Sequence, residues 1–181
     1  KKLKKFKIKS FQVSVGHDFQ KWRKAGVHKN SYFSDTKMGG GVIFELVHEI
    51  NLINLLFGKI KKISTIKSNS KNFNCEDVAI SIVETENNII GSLYQDMFSK
   101  TFFRSIRIVT NKIFFEIDLV KNLIIENNKI KNFKNINKQT DLLRKNILLF
   151  KKRIAKKDHS LDDYNIALFD LDTCIKMHNA K

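Results

Sequence analysis

Along this chain the rhythm of apolar and polar positions changes several times, and each change marks an element. Over residues 6–15 the period is two, the mark of a strand: Phe6 and Ile8 keep one parity between lysines, and Phe11, Val13 and Val15 keep the other. The change of phase near Lys9–Ser10 predicts a bulge or a second register. Residues 16–38 are polar and irregular and carry Trp22 and Tyr32. A long loop in a compact domain is often a functional one. Gly39-Gly40-Gly41 then opens an apolar run over 42–57, closed by Gly58. The run is too long for a strand, and a glycine after it suits a helix end, so one buried helix is expected. Its Glu45, His48 and Glu49 stand at i, i+3 and i+4, which places them on one helical face.

Candidate strands follow at 59–68, 78–84, 89–98, 103–109, 113–119, 122–126 and 130–133. Asn87-Asn88, Asn111-Lys112 and Asn127-Asn128 supply turns between them. Connections this short require antiparallel neighbours, so a meander is expected. Two helices finish the chain. In the first, Leu143, Ile147, Phe150 and Ile154 recur at helical spacing. In the second, Ser160 is the expected N-cap, Asp162 and Asp163 occupy the first turn, and Tyr164, Ala167, Leu168, Leu171, Cys174 and Ile175 form an apolar stripe. The predicted class is α+β: a mainly antiparallel open sheet with helices on one face. Neither an internal repeat nor a low-complexity linker divides the chain, so residues 1–181 read as a single domain.

Composition sharpens this picture. With 181 residues, 42% of them hydrophobic, the chain can bury one ordinary core. It holds no uncharged apolar run of about 18 residues, the length a membrane-spanning helix needs. Lysines interrupt residues 1–9, unlike the continuous apolar core of a secretion signal. A cytoplasmic location is therefore expected, and the absence of an initial Met points to a piece of a longer protein. Cys75 and Cys174 lie far apart with no CxxC spacing, which favours two reduced thiols over a disulfide or metal site. The formal charge of +16 raises nucleic acid as a partner. However, the lysines are spread along the whole chain, Lys, Asn and Ile are abundant, and Pro is absent, the mark of an AT-rich coding sequence. The charge is better read as a solvated surface with an attraction for phosphorylated substrates. A basic nucleic-acid module is the disfavoured alternative, and no RNP-like motif supports it.

The chemistry concentrates at Gly39-Gly40-Gly41-Val42-Ile43-Phe44-Glu45-Leu46-Val47-His48-Glu49-Ile50-Asn51. Consecutive glycines let the backbone approach a ligand or another element closely. A histidine on a rigid helix can exchange a proton with a substrate hydroxyl near neutral pH, and a glutamate one turn earlier can orient it. Neither phosphate-binding pattern, GxGxxG or GxxxxGK, is present. On these residues alone a packed core histidine is the more natural reading.

The segment resembles the GGG…(D/E)…H-(D/E)-I-D…G stretch of the Gfo/Idh/MocA oxidoreductases. The upstream Val15-Gly16, Trp22-Arg23 and Ser31-Tyr32 keep the order and spacing of that family's VG…WR…SY…GGG. Downstream, residues 91–96, 104–118 and Ser160-Leu161-Asp162-Asp163 resemble its later strands and its SLEDG helix start. The resemblance implies a C-terminal domain of the dihydrodipicolinate-reductase-like type, working beside a Rossmann domain that binds NAD or NADP. It further implies hydride transfer at a hydroxyl or carbonyl carbon of a sugar, nucleotide sugar or cyclitol, and a homo-oligomer formed through the open sheet. It makes His48 the catalytic acid/base, with Trp22, Arg23, His28, Lys29, Tyr32 and Glu45 as substrate-binding candidates. The family's cooperating lysine lies in an EKP motif that this chain lacks. The chain also departs from the pattern. Phe44 stands at the common carboxylate position, Asn51 replaces the usual Asp, and Lys24 replaces the usual Pro. These departures keep a second reading open, that of a non-catalytic remnant or interaction domain.

Overall fold

A computed structural model describes residues 5–21, 31–69, 73–132, 139–157 and 162–180. The strands are β1 (Ile8–Gly16), β2 (Ile60–Ser68), β3 (Val78–Thr85), β4 (Ile90–Asp96), β5 (Phe103–Thr110), β6 (Phe114–Asp118), β7 (Leu123–Glu126) and β8 (Lys129–Asn132). The helices are α1 (Val42–Glu45), α2 (Val47–Phe57), α3 (Gln139–Ala155) and α4 (Asp162–Asn179). Among the described residues the strands form one sheet in the order β2-β3-β4-β1-β5-β6-β7-β8.

The α+β class and the mainly antiparallel sheet are as the patterning predicted, but the meander is not continuous. β1 lies between β4 and β5, parallel to the first and antiparallel to the second. Phe11, Val13 and Val15 of β1 are buried, and a strand this apolar is most stable with a neighbour on each side. Turn signals report only local pairing, so they could not reveal this insertion. The expected bulge is present: the β1–β5 register slips between Ile8 and Ser10. Asn88, Asn127 and Asn128 all take positive φ, a backbone conformation that asparagine tolerates in tight turns.

One face of the sheet carries the core. Val13, Ala79, Val83, Leu93, Ile106 and Ile108 are buried with Val42, Ile43, Ile50, Ile53 and Phe57 of α1 and α2. Phe11 and Phe57 stack with ring centroids 4.0 Å apart. On the other face Ile66, Ile80, Ile82, Ile90 and Val109 are exposed.

The expected single helix over 42–57 is instead two helices. The chain bends by 44° at Leu46, whose φ and ψ are −108° and 28°. The Leu46 carbonyl accepts from the Glu49 N–H at 3.0 Å and from the buried Gln95 side chain at 3.3 Å, so the sheet captures the carbonyl at the break. Glu45, His48 and Glu49 therefore do not share one face: Glu49 is buried, His48 is exposed, and Glu45 is half-buried across the bend. No single helix among the described residues is long and apolar enough to cross a membrane.

The helix α4 is clamped to α2 by Asp170, which accepts from the side-chain amides of Asn51 at 2.7 Å and Asn54 at 2.6 Å. Asp170→Ala leaves two part-buried amides without their acceptor and is expected to cost about 1–3 kcal/mol, read from the midpoint of a urea unfolding curve. Cys174 and Met177 complete the inner face. The rest of the predicted α4 stripe is turned outward: Tyr164, Leu168, Leu171 and Ile175 are exposed. So are Leu143, Ile147, Phe150 and Ile154 on α3. Helical periodicity identified both stripes but not which face the body would cover. On α4, the polar clamp at Asp170 selects the face beside them. The expected N-cap, Ser160, lies outside the described residues.

Both cysteines are unbridged and buried. Burial pushes the Cys75 thiol up to about 12, with the Glu76 and Asp77 carboxylates adding to the effect. Burial and then Asp170 push the Cys174 thiol to about 12 as well. Because the thiolate is the reactive form, the native chain should be inert to Ellman's reagent at pH 8 and release two equivalents only on unfolding. Rapid colour from the folded protein would contradict this.

Candidate active site

The glycine run makes its close approach to protein rather than leaving an open cradle. A Cβ on Gly40 would lie 2.4 Å from the Tyr32 and Phe33 backbone. Gly41 has φ +120°, and a Cβ there would lie 2.2 Å from the Glu76 carboxylate. The Val42 N–H donates to the Glu76 carbonyl at 3.0 Å, which ties the start of α1 to the residues just before β3.

Beyond the bend, His48 is the second residue of α2, and its side chain is 49% exposed. This excludes a sealed core histidine. Its Nε2 lies 3.2 Å from Oε1 of Glu49, whose side chain is fully buried. Arg104 of β5 reaches the same oxygen from the sheet, with Nε 2.7 Å away. A buried carboxylate is thus held between a cationic strand residue and a half-open imidazole. Sequence reasoning assigned neither Glu49 nor Arg104 a role, although both stood inside recognisable motifs. A neighbour at i+1 and a partner on a distant strand leave no helical spacing to detect. Glu45, expected to orient the ring, lies across the bend.

Tyr32 is 48% exposed in the short turn Tyr32–Ser34, where its ring meets Phe33 edge-on at 5.4 Å. The other substrate-binding candidates, Trp22, Arg23, His28 and Lys29, lie outside the described residues. A cavity of about 600 Å³ opens between α2 and α4, lined by Asn51, Asn54, Leu55, Lys59, Phe169 and Asp170 among others. His48 is not among its lining residues.

Asp96 ends β4 by accepting from the Phe98 and Ser99 N–H groups at 2.8 and 2.7 Å and from the Ser99 hydroxyl at 2.7 Å. His17 and His178 are both partly buried. His17 sits 5.0 Å from the Phe102 ring, and His178 Nδ1 lies 3.2 Å from Glu76 Oε2.

The family profile of the GFO/IDH/MocA C-terminal domain matches residues 7–114, more than half of the chain and the part that carries β1, the glycine run, His48 and Arg104. The chain belongs to the GFO/IDH/MocA family. Solved structures place this GFO/IDH/MocA domain in the same fold. An oxidoreductase from Thermotoga maritima superposes with a TM-score of 0.76 at 18% identity, over 96% of this chain and 52% of its own. The UDP-N-acetylglucosamine 3-dehydrogenase GnnA from Acidithiobacillus ferrooxidans gives 0.74 at 14% identity, over 97% and 55%. The WlbA dehydrogenase from Bordetella pertussis, solved with NADH and UDP-GlcNAcA, gives 0.65 at 17% identity, over 94% and 51%. At these identities the likeness is one of fold. The chain spans about half the length of each of these structures. Comparison with curated protein sequences finds no match to this chain.

Proposed function

We propose that this domain is the substrate side of an NAD(P)-dependent oxidoreductase, with His48 exchanging the proton of a hydroxyl or carbonyl group on a sugar, nucleotide sugar or cyclitol. The observation that carries this reading is the ring of His48, half open to solvent at the start of a packed helix and backed by a buried carboxylate, within a domain of a dehydrogenase family. Tyr32, Glu45 and, on sequence grounds, Trp22, Arg23, His28 and Lys29 are the residues proposed to meet the substrate.

The nicotinamide cofactor supplies the hydride chemistry when bound, but the residues described do not fit it. In the glycine run, the space beside Gly40 is filled by the Tyr32–Phe33 backbone and that beside Gly41 by the Glu76 carboxylate, which repels phosphate. A nucleotide-binding partner domain must then hold the cofactor. The outward stripes Leu143–Ile147–Phe150–Ile154 and Tyr164–Leu168–Leu171–Ile175 are the surface proposed to receive that domain. The exposed isoleucines of the open sheet face, Ile66, Ile80, Ile82 and Ile90, are proposed to join a second copy, in a cytoplasmic enzyme.

The test uses the chain as it stands. In a fluorescence titration with NADH and with NADPH the chain alone should show no binding, and appreciable binding would overturn the division of labour. Reading the coding sequence upstream of Lys1 tests the partner. An in-frame segment of about 100–150 residues with a Rossmann fingerprint and an EKP motif supports the enzyme. A stop codon there favours a remnant.

A further inference from the structure

The carboxylate of Glu49 is fully buried, yet among the described residues neither of its oxygens receives a directed hydrogen bond. It is held by ion-pair contacts to Oε1 alone, from Arg104 Nε at 2.7 Å and His48 Nε2 at 3.2 Å. A buried carboxylate that lacks directed donors strongly favours any arrangement that turns an N–H onto it. Arg104 keeps its charge at all ordinary pH, so it faces Oε1 as a fixed cation, and the imidazole is the other nitrogen-bearing group within reach of the carboxylate. A neutral imidazole carries one N–H, and which nitrogen bears it is set by what the other atoms of the ring face.

We infer that Glu49 is the positioning residue of His48: across the 3.2 Å approach a small turn of the ring brings an Nε2–H onto Oε1, which favours the neutral ring with its proton on Nε2, so that Nδ1 is the nitrogen that exchanges protons with a ligand. Among the described residues Nδ1 has no hydrogen-bond partner, which leaves its lone pair available. When Nδ1 takes a hydroxyl proton, the ring becomes a cation with an N–H on each nitrogen, and the adjacent carboxylate offsets the new charge. In the reverse direction Nδ1–H returns the proton to the oxygen, and the ring relaxes to the Nε2–H form. Arg104 acts one step further out by orienting Glu49. Such a carboxylate behind a proton-transferring imidazole holds its tautomer without itself being protonated. This inference rests on the proposed acid/base role of His48 only for its use in turnover. The tautomer itself is a property of the isolated chain.

Alkylation by iodoacetate reports which nitrogen is open, since an unhindered histidine is carboxymethylated mainly at Nε2. After digestion, the His48 peptide of the wild-type chain should carry the group on Nδ1 in at least about tenfold excess. In ¹⁵N-labelled chain above neutral pH, His48 should show the shift pattern of an Nε2–H tautomer with a slowly exchanging N–H proton. The variant Glu49→Met/Arg104→Met removes both charges together and keeps apolar bulk. Its folding is checked by circular dichroism, and it should lose that proton and return alkylation to Nε2. Wild-type alkylation mainly at Nε2, or a rapidly exchanging ring proton, overturns the inference whether or not the variant folds. Neither measurement needs substrate or cofactor, so either can fail while the oxidoreductase reading stands, and the reverse.

Discussion

His48→Ala is expected to lower turnover of the assembled enzyme roughly 100-fold or more, the usual loss when a positioned general acid/base is removed. The assay is the initial rate of NAD(P)H formation by the chain joined to the proposed nucleotide-binding domain, across a panel of sugars, nucleotide sugars and cyclitols. The side chain is half exposed at the start of α2, but it also faces the buried Glu49 carboxylate, which Arg104 continues to hold, so the unfolding midpoint is measured beside the rate. A fall in rate with an unchanged unfolding midpoint therefore reads chemistry rather than folding. Turnover near that of wild type would remove His48 from the mechanism and leave the fold assignment untouched.

Gly41→Ala is expected to be the most damaging small change outside the core. At φ +120° and ψ 156° the residue occupies a region open essentially to glycine, and a side chain there costs about 1–3 kcal/mol in backbone strain alone. The added Cβ would also stand 2.2 Å from the buried Glu76 carboxylate and force it out of its contact with His178. Gly39→Ala is the control. That glycine has φ +81° with nothing within 4 Å of its Cβ, so it should lose only about 1–2 kcal/mol. Equal urea midpoints for the two variants would show that Glu76 yields without cost.

These two positions mark how far the sequence could be read. Local rules carried the strands, the asparagine turns, the bulge near Lys9–Ser10 and the family, because each depends on residues close together in the chain. The place of β1 between β4 and β5 was not legible, since strand pairing across some eighty to one hundred residues leaves no local trace. The bend at Leu46 was hidden for the same reason: it depends on Gln95, a sheet residue whose amide meets one carbonyl of the helix. At the site, the histidine and glycines announced themselves. The carboxylate did not, because helical spacing favours Glu45, whereas the bend brings the neighbouring Glu49 and the strand residue Arg104 together instead. On α3 and α4 the periodicity of apolar residues was plain, but a stripe says only that something covers it, not whether the cover belongs to the same fold.

The central place of β1 has a consequence for biosynthesis. Ser10 pairs with Ile90 on one side and Val109 on the other, so the first strand of this domain to leave the ribosome waits longest for its neighbours. At about 5–20 residues per second, that interval lasts several seconds or more. Throughout it, Phe11, Val13 and Val15 form a sticky ribbon with both edges bare, a natural target for trigger-factor-like holdases. A nascent chain stalled before Phe103 would carry this ribbon permanently half-clad and would be a substrate for quality control rather than a smaller version of the domain.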